Sequence, residues 1–315
     1  MGNPVEIVKA LVSPVEKLID AVQSAIGKAY EPRHIRRIAD AKAYEIAKIG
    51  QAMRETGDIP IVYDKGLIGM DSTDLDALIK RTQSRLAFQE LTKQSNIENV
   101  IDLAYDLLKN ESSTVEKNAD ADWMLRFFNS VEDISNEQMP QLWARILAGE
   151  IQQPSRFSMR TLDTLKNLTQ AEAETFQRLT PYVMFDGFHY SLITEADKLS
   201  NHEIQYEDFM LLGECGLLNF NRVLYFLRVA RGATETVHVS NIPLFFENRT
   251  NKQIQLDIEV FSLTKAGAEL FNIVDRAQEN RAFTEKLIQA ILRNNDFSKD
   301  TAKIYKENDL FRIVF

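Results

Sequence analysis

The sequence predicts a mainly α-helical protein, with N-terminal amphipathic, coiled-coil-like helices, a central helical bundle and a C-terminal winged-helix-like α+β unit carrying one β-hairpin. Three observations lead there. An unbroken 3-4-3-4 apolar stripe opens the chain. Only 12 Gly and 8 Pro fall among 315 residues, too few to punctuate many short elements. Beyond Pro181 the apolar period switches to strict alternation, clearest in Ile254–Val260.

The stripe runs through Val5, Val8, Val12, Val15, Ile19, Val22 and Ile26, with a second column at Leu11, Leu18 and Ala25. Both heptad core positions carry β-branched residues, a choice that favours assemblies larger than a dimer. Asn3-Pro4-Val5-Glu6 is echoed by Ser13-Pro14-Val15-Glu16, and each copy reads as a capped helix start. Pro14 therefore either kinks one helix or separates two. Three readings of the stripe stay open: packing on the chain's own core, self-association, and contact with a membrane.

The segment that follows is basic. Lys28 to Arg54 holds seven Lys or Arg against three acids, with Arg33, Arg36 and Arg37 placed where an anionic surface would be met. The helix before it has a neutral polar face, with Glu6, Glu16 and Asp20 balanced by Lys9, Lys17 and Lys28, which suits assembly better than lipid.

In order, residues 1–57 read as amphipathic and basic helices and 58–72 as a linker or small hairpin. Residues 73–180 read as a bundle with a break at Ser95-Asn96, 181–275 as the winged-helix-like unit and 276–315 as a closing helix and apolar tail. Gly149 is expected to end the Trp143 helix, and Thr169 with Glu172 to open another through a capping box. Thr236 to Phe246 is expected to pair with Ile254–Val260 across the turn 248–252, and the tail 310–315 to add a strand or fill a groove.

A net charge of -9 disfavours broad nucleic-acid binding, and Asn201–Asp275 carries ten acids against six bases. Arg222, Arg228 and Arg231 form its one basic feature, read as a solvated helix face, so a protein-binding winged helix is preferred over a DNA-reading one. The lone Cys215 fits a reducing compartment, and no hydrophobic leader or spanning run is evident, so a cytoplasmic protein, at most peripheral to the inner membrane, is expected.

No catalytic, cofactor-binding or metal-binding residue is assigned. His34, His189, His202 and His238 lack ligand spacing, Cys215 reads as a buried small hydrophobe, and no phosphate loop, dinucleotide fingerprint or nucleophile elbow occurs.

The run Leu142-Trp143-Ala144 through Gly149-Glu150, Pro154, Phe157-Ser158 and Arg160-Thr161-Leu162 resembles a bacterial family catalogued as a domain of unknown function. Its Leu-Trp-Ala helix is also similar to abortive-infection proteins of the alpha type. That resemblance implies a defence role against phage and transfers no active-site residue. The sequence thus supports a non-enzymatic protein acting by self-association or membrane contact through its first helix. The alternative is a constitutive oligomeric scaffold or regulator binding a protein partner through its C-terminal unit.

Overall fold

The computed structural model describes residues 13–27, 72–111, 117–134, 139–195, 203–298, 301–307 and 310–315. They divide into two compact units, one within 1–157 and one within 158–315. Val5, Val8, Val12, Arg33, Arg36, Arg37 and the linker at 58–71 lie outside the described residues.

The first unit is helical among its described residues: α1 (Pro14–Ile26), α2 (Ser72–Leu108), α3 (Ala121–Val131) and α4 (Met139–Gln152). α1 begins at Pro14 because Ser13 is extended, with φ -64° and ψ 131°, although the Ser13 side chain makes no capping bond. α2 is continuous through Ser95-Asn96, against the expected break. The Asn96 side chain donates across the bundle to the carbonyls of Glu132 and Ile134, both at 2.9 Å, so it clamps the next turn instead of competing with its own helix. Beyond that point α2 buries Ile97, Val100, Ile101, Ala104 and Leu108, an i, i+3, i+4, i+7 face.

Asp120 caps α3 by accepting from the Trp123 N–H at 2.9 Å. The core of this unit centres on Phe127, stacked on Trp123 at 5.2 Å and met edge-on by Phe128 at 5.3 Å and Trp143 at 5.5 Å. Gly149 does not end α4, which runs on to Gln152. A Cβ there would sit 2.8 Å from the Phe157 ring, so glycine is needed for close packing within the helix.

The second unit corrects the mainly α expectation: it is α+β, built on an eight-stranded mixed sheet. Helices α5 (Met159–Asn167) and α6 (Gln170–Leu179) lead in. The Thr169–Glu172 capping box forms, Glu172 accepting from the Thr169 N–H at 2.7 Å. α5 is capped from a distance, its Ser158 N–H donating to Glu269 at 2.8 Å.

The strands are β1 (Val183–Phe185), β2 (Tyr190–Ile193), β3 (Leu218–Val229), β4 (Thr234–Val239), β5 (Ile242–Glu247), β6 (Ile254–Leu263), β7 (Lys303–Glu307) and β8 (Leu310–Val314). Their spatial order is β3-β6-β2-β1-β4-β5-β8-β7, and every pairing is antiparallel except β5 with β8. Helix α7 (Tyr206–Glu214) precedes β3, while α8 (Lys265–Phe271) and α9 (Arg281–Asn294) follow β6.

One hairpin and a winged helix are therefore replaced by a sheet that organises the whole unit. The expected 236–246 strand is two strands, because Ser240, at φ 55°, turns the chain between Val239 and Ile242. β6 pairs with β3 and β2 rather than with that segment. The run Leu263-Thr264-Lys265-Ala266-Gly267 leads from β6 into α8: Thr264 Oγ1 caps the Gly267 N–H at 3.0 Å and donates to the Gly216 carbonyl at 2.6 Å. A Cβ on Gly267 would overlap the Leu217 carbonyl oxygen.

β1 and β2 are short and lie between β4 and β6. β1 meets β4 only at Met184–Val239 and Phe185–His238, the end away from the β3–β4 turn. At the other end Asn248, 1% exposed, ties the β3–β6 pair to the β4–β5 hairpin. Its Nδ2 donates to the carbonyls of Val229 (2.9 Å), Ala230 (3.2 Å) and Lys252 (2.8 Å). Its Oδ1 accepts from the N–H (2.9 Å) and hydroxyl (2.7 Å) of Thr250. Its main chain exchanges bonds with Gly232 and Ala233, each at 3.0 Å.

Asn248→Asp keeps the acceptor but turns a donor toward three carbonyls into a buried charge. A loss of about 3 kcal/mol is expected, on the order of 6–12 °C in melting temperature for a unit of this size. Calorimetry that finds the two melting temperatures equal would contradict this.

Candidate functional site

α1 packs against α2, α3 and α4. Leu18 and Val22 are fully buried, whereas Val15, Ile19 and Ile26 are half-buried. Of the stripe, the described part from Val15 to Ile26 thus spends Val22 and the flanking Leu18 on its own bundle. Lys17 is buried as well, its Nζ donating to the Lys117 carbonyl at 2.6 Å. A cleft of about 340 Å³ beside it is lined by Lys17, Asp20, Ser24, Asp122, Leu125 and Ile151. Among the described residues no helix is long and apolar enough to cross a membrane.

Glu150 is the most buried carboxylate in this unit, at 1% exposure. It accepts from the N–H groups of Ser155 (2.5 Å) and Phe157 (3.0 Å), closing the loop after α4. Trp123 Nε1 donates to the Phe157 carbonyl at 2.9 Å, and the Arg156 guanidinium lies 5.2 Å from the Phe157 ring. The Gly149-Glu150 … Phe157 motif is thereby accounted for as a loop anchor.

Cys215 is half-buried, and burial pushes its thiol up to about 11, so it is protonated at neutral pH. His189 is exposed, 3.5 Å from Asp186. Among the described residues no three His, Cys, Asp or Glu side chains are grouped to hold a metal.

Arg222 and Arg228 lie on strand β3, not on a helix, and Arg231 sits exposed in the turn that follows. Among the described residues β3 is the outermost strand at one edge of the sheet. Its inner side pairs with β6 from Arg222↔Phe261 to Val229↔Ile254. Alternation puts Arg222, Leu224, Phe226 and Arg228 on one face. Arg222 reaches Glu259 at 3.6 Å, and Arg228 Nε donates to Gln255 at 3.2 Å while its guanidinium lies 5.6 Å from the Phe226 ring.

Val223 (45%), Leu224 (43%) and Phe226 (44%) are exposed, on a strand of twelve residues. The other outermost strand, β7, is blunted: five residues long, with Lys303, Tyr305 and Lys306 exposed. Short length, charged side chains and bulges discourage strand addition; β3 is long, and its charges, Arg222 and Arg228, and its one register shift, between Leu218 and Arg222, leave the run Val223–Leu227 between them uninterrupted. Sequence reasoning named the arginines but missed Val223, Leu224 and Phe226. The signal was the uninterrupted β-prone run Val223–Leu227 between two arginines.

Residues 80–189 are similar to a family described as a protein of unknown function (DUF2806). The match spans Trp123, Trp143, Glu150 and the Thr169 capping box, which build cores and loops, and it stops in the turn between β1 and β2. The chain matches no curated protein and no solved structure. The similarity to abortive-infection proteins gains no support from these matches.

Glu150→Gln replaces an acceptor by a donor facing two buried N–H groups. A loss of about 2 kcal/mol is expected in the helical unit. Urea unfolding followed by tryptophan fluorescence reports on that unit alone, since both tryptophans lie in it; an unmoved midpoint would contradict the anchor role.

Proposed function

We propose that this protein is a non-enzymatic scaffold or regulator that binds a protein partner through the outer edge of β3. One observation carries the reading: a twelve-residue edge strand with Val223, Leu224 and Phe226 exposed and no covering strand among the described residues. An open edge offers a row of backbone donors and acceptors to an extended segment, and the alternate side chains give that contact its selectivity. The partner binds the sheet, which stands where the winged helix was expected.

Self-association through the N-terminal unit is the second reading. It is favoured by the outer half of α2, where Leu78, Leu86, Phe88 and Leu91 are exposed and Phe88 reaches 71%. The inward burial of Leu18 and Val22 moves that reading from α1 to α2 and weighs against release of α1 onto a membrane.

Photo-crosslinking in the producing cell separates the two. A photoreactive residue at position 224 is expected to give a discrete adduct heavier than the chain, while the same residue at Lys303 on β7 gives none. No adduct at 224 would overturn the strand-edge reading. A parallel sample with the photoreactive residue at 88 tests the second reading, an adduct of twice the chain's mass supporting self-association.

A further inference from the structure

We infer that the β3 edge takes an extended segment whose alternate residues read acidic, apolar, apolar, acidic over seven residues. The inference rests on the strand-edge reading above and adds the chemistry of the partner.

Four side chains share one face of β3 in the order Arg222, Leu224, Phe226, Arg228. Two cations therefore bracket an exposed apolar pair over about 20 Å of strand. A strand added outside β3 sets its own residues opposite these four, where opposite charges and apolar pairs stabilise and like charges destabilise. The demand on the partner is a carboxylate opposite each arginine and an aliphatic or aromatic side chain opposite Leu224 and Phe226. The pattern reads the same in both directions, so parallel and antiparallel additions are both served.

The arginines are held ready for this role. Glu259 approaches Arg222 and Gln255 approaches Arg228 from β6, on the inner side of the strand. Each arginine remains exposed, and a guanidinium presents five donors, enough to bind a second acceptor without giving up the first. Phe226 under the Arg228 guanidinium fixes that side chain along the strand.

The same charges disfavour a second copy of the chain. Antiparallel pairing of two β3 strands about Tyr225, midway between the two arginines, sets Arg222 of each copy opposite Arg228 of the other. In-register parallel pairing sets each arginine against itself.

The test uses the full chain and two labelled nine-residue probes, Thr-Glu-Thr-Val-Thr-Val-Thr-Glu-Thr and its counterpart with lysine at both glutamate positions, read by fluorescence anisotropy at low salt. The glutamate probe is expected to bind at least tenfold more tightly, with the gap narrowing as salt rises. Arg222→Glu with Arg228→Glu is expected to reverse the preference. Arg222→Gln with Arg228→Gln, which adds no negative charge beside Glu259 and Asp257, is expected to abolish it. Equal binding of the two probes, or binding of neither, overturns the inference. A crosslinked adduct of twice the chain's mass at position 224 also overturns it, by giving the edge to a second copy. A heavier adduct at 224 together with equal probe binding leaves the strand-edge reading standing while this inference fails.

Discussion

The Asn248 side chain is the constraint on which the sheet depends. The β3–β4 and β5–β6 turns are remote in sequence, and each ends in main-chain groups that a simple hairpin would leave to water. One buried amide shares its two N–H groups among three carbonyls and orders Thr250, while its main chain links Gly232 and Ala233. At the opposite end of the strands the short β1–β2 pair separates β4 from β6. Wedged at one end and tied at the other, β3 diverges from its sequence neighbour β4 and pairs with β6. That divergence makes β3 outermost, so the exposed edge follows from how the sheet is held.

Two carboxylates, Glu150 buried and Glu269 half-buried, play a parallel part. Glu150 gathers the N–H groups of the loop after α4, and Glu269 accepts from the Ser158 N–H and from the Ser158 and Thr161 hydroxyls at the start of α5. Both are charge-assisted anchors at segments whose donors would otherwise lack partners. They give physical reasons for the Gly-Glu and Phe-Ser-x-x-Thr pattern, all of it inside the region that matches the family of unknown function. That region builds cores and loops, whereas the proposed partner edge lies beyond it.

Much of the helical part was legible in the sequence, because capping and 3.6-residue periodicity are local. Pro14 marks the start of α1, and Thr169 with Glu172 forms the expected box, whereas the Asp120 cap of α3 was not read from the sequence. Errors arose where a residue with a local meaning serves a tertiary one. Asn96 looked like a helix breaker but reaches across to Glu132 and Ile134. Gly149 looked like a stop but makes room for Phe157. The sheet was legible at β6, which alternates because one face is buried, over Thr236–Phe246, read as strand but not as the two strands β4 and β5, and at the apolar tail that forms β8. β3 does not alternate, since an edge strand is exposed on both faces along much of its length. The β4–β5 turn at Ser240-Asn241 carries no glycine to betray it. Of the candidate site, Arg222 and Arg228 were visible as charges, but their element and the apolar pair between them were not.

A β3 edge that receives a partner strand has its outer side open in the chain by itself. Residue-resolved amide hydrogen exchange measures this directly, since in an edge strand alternate N–H groups point to the paired neighbour and to solvent. Between Arg222 and Val229, every second amide is predicted to exchange as fast as an unstructured one while those between are protected along with their β6 partners. Uniform protection along this stretch would show that another segment already covers the edge and that it is not free for a partner.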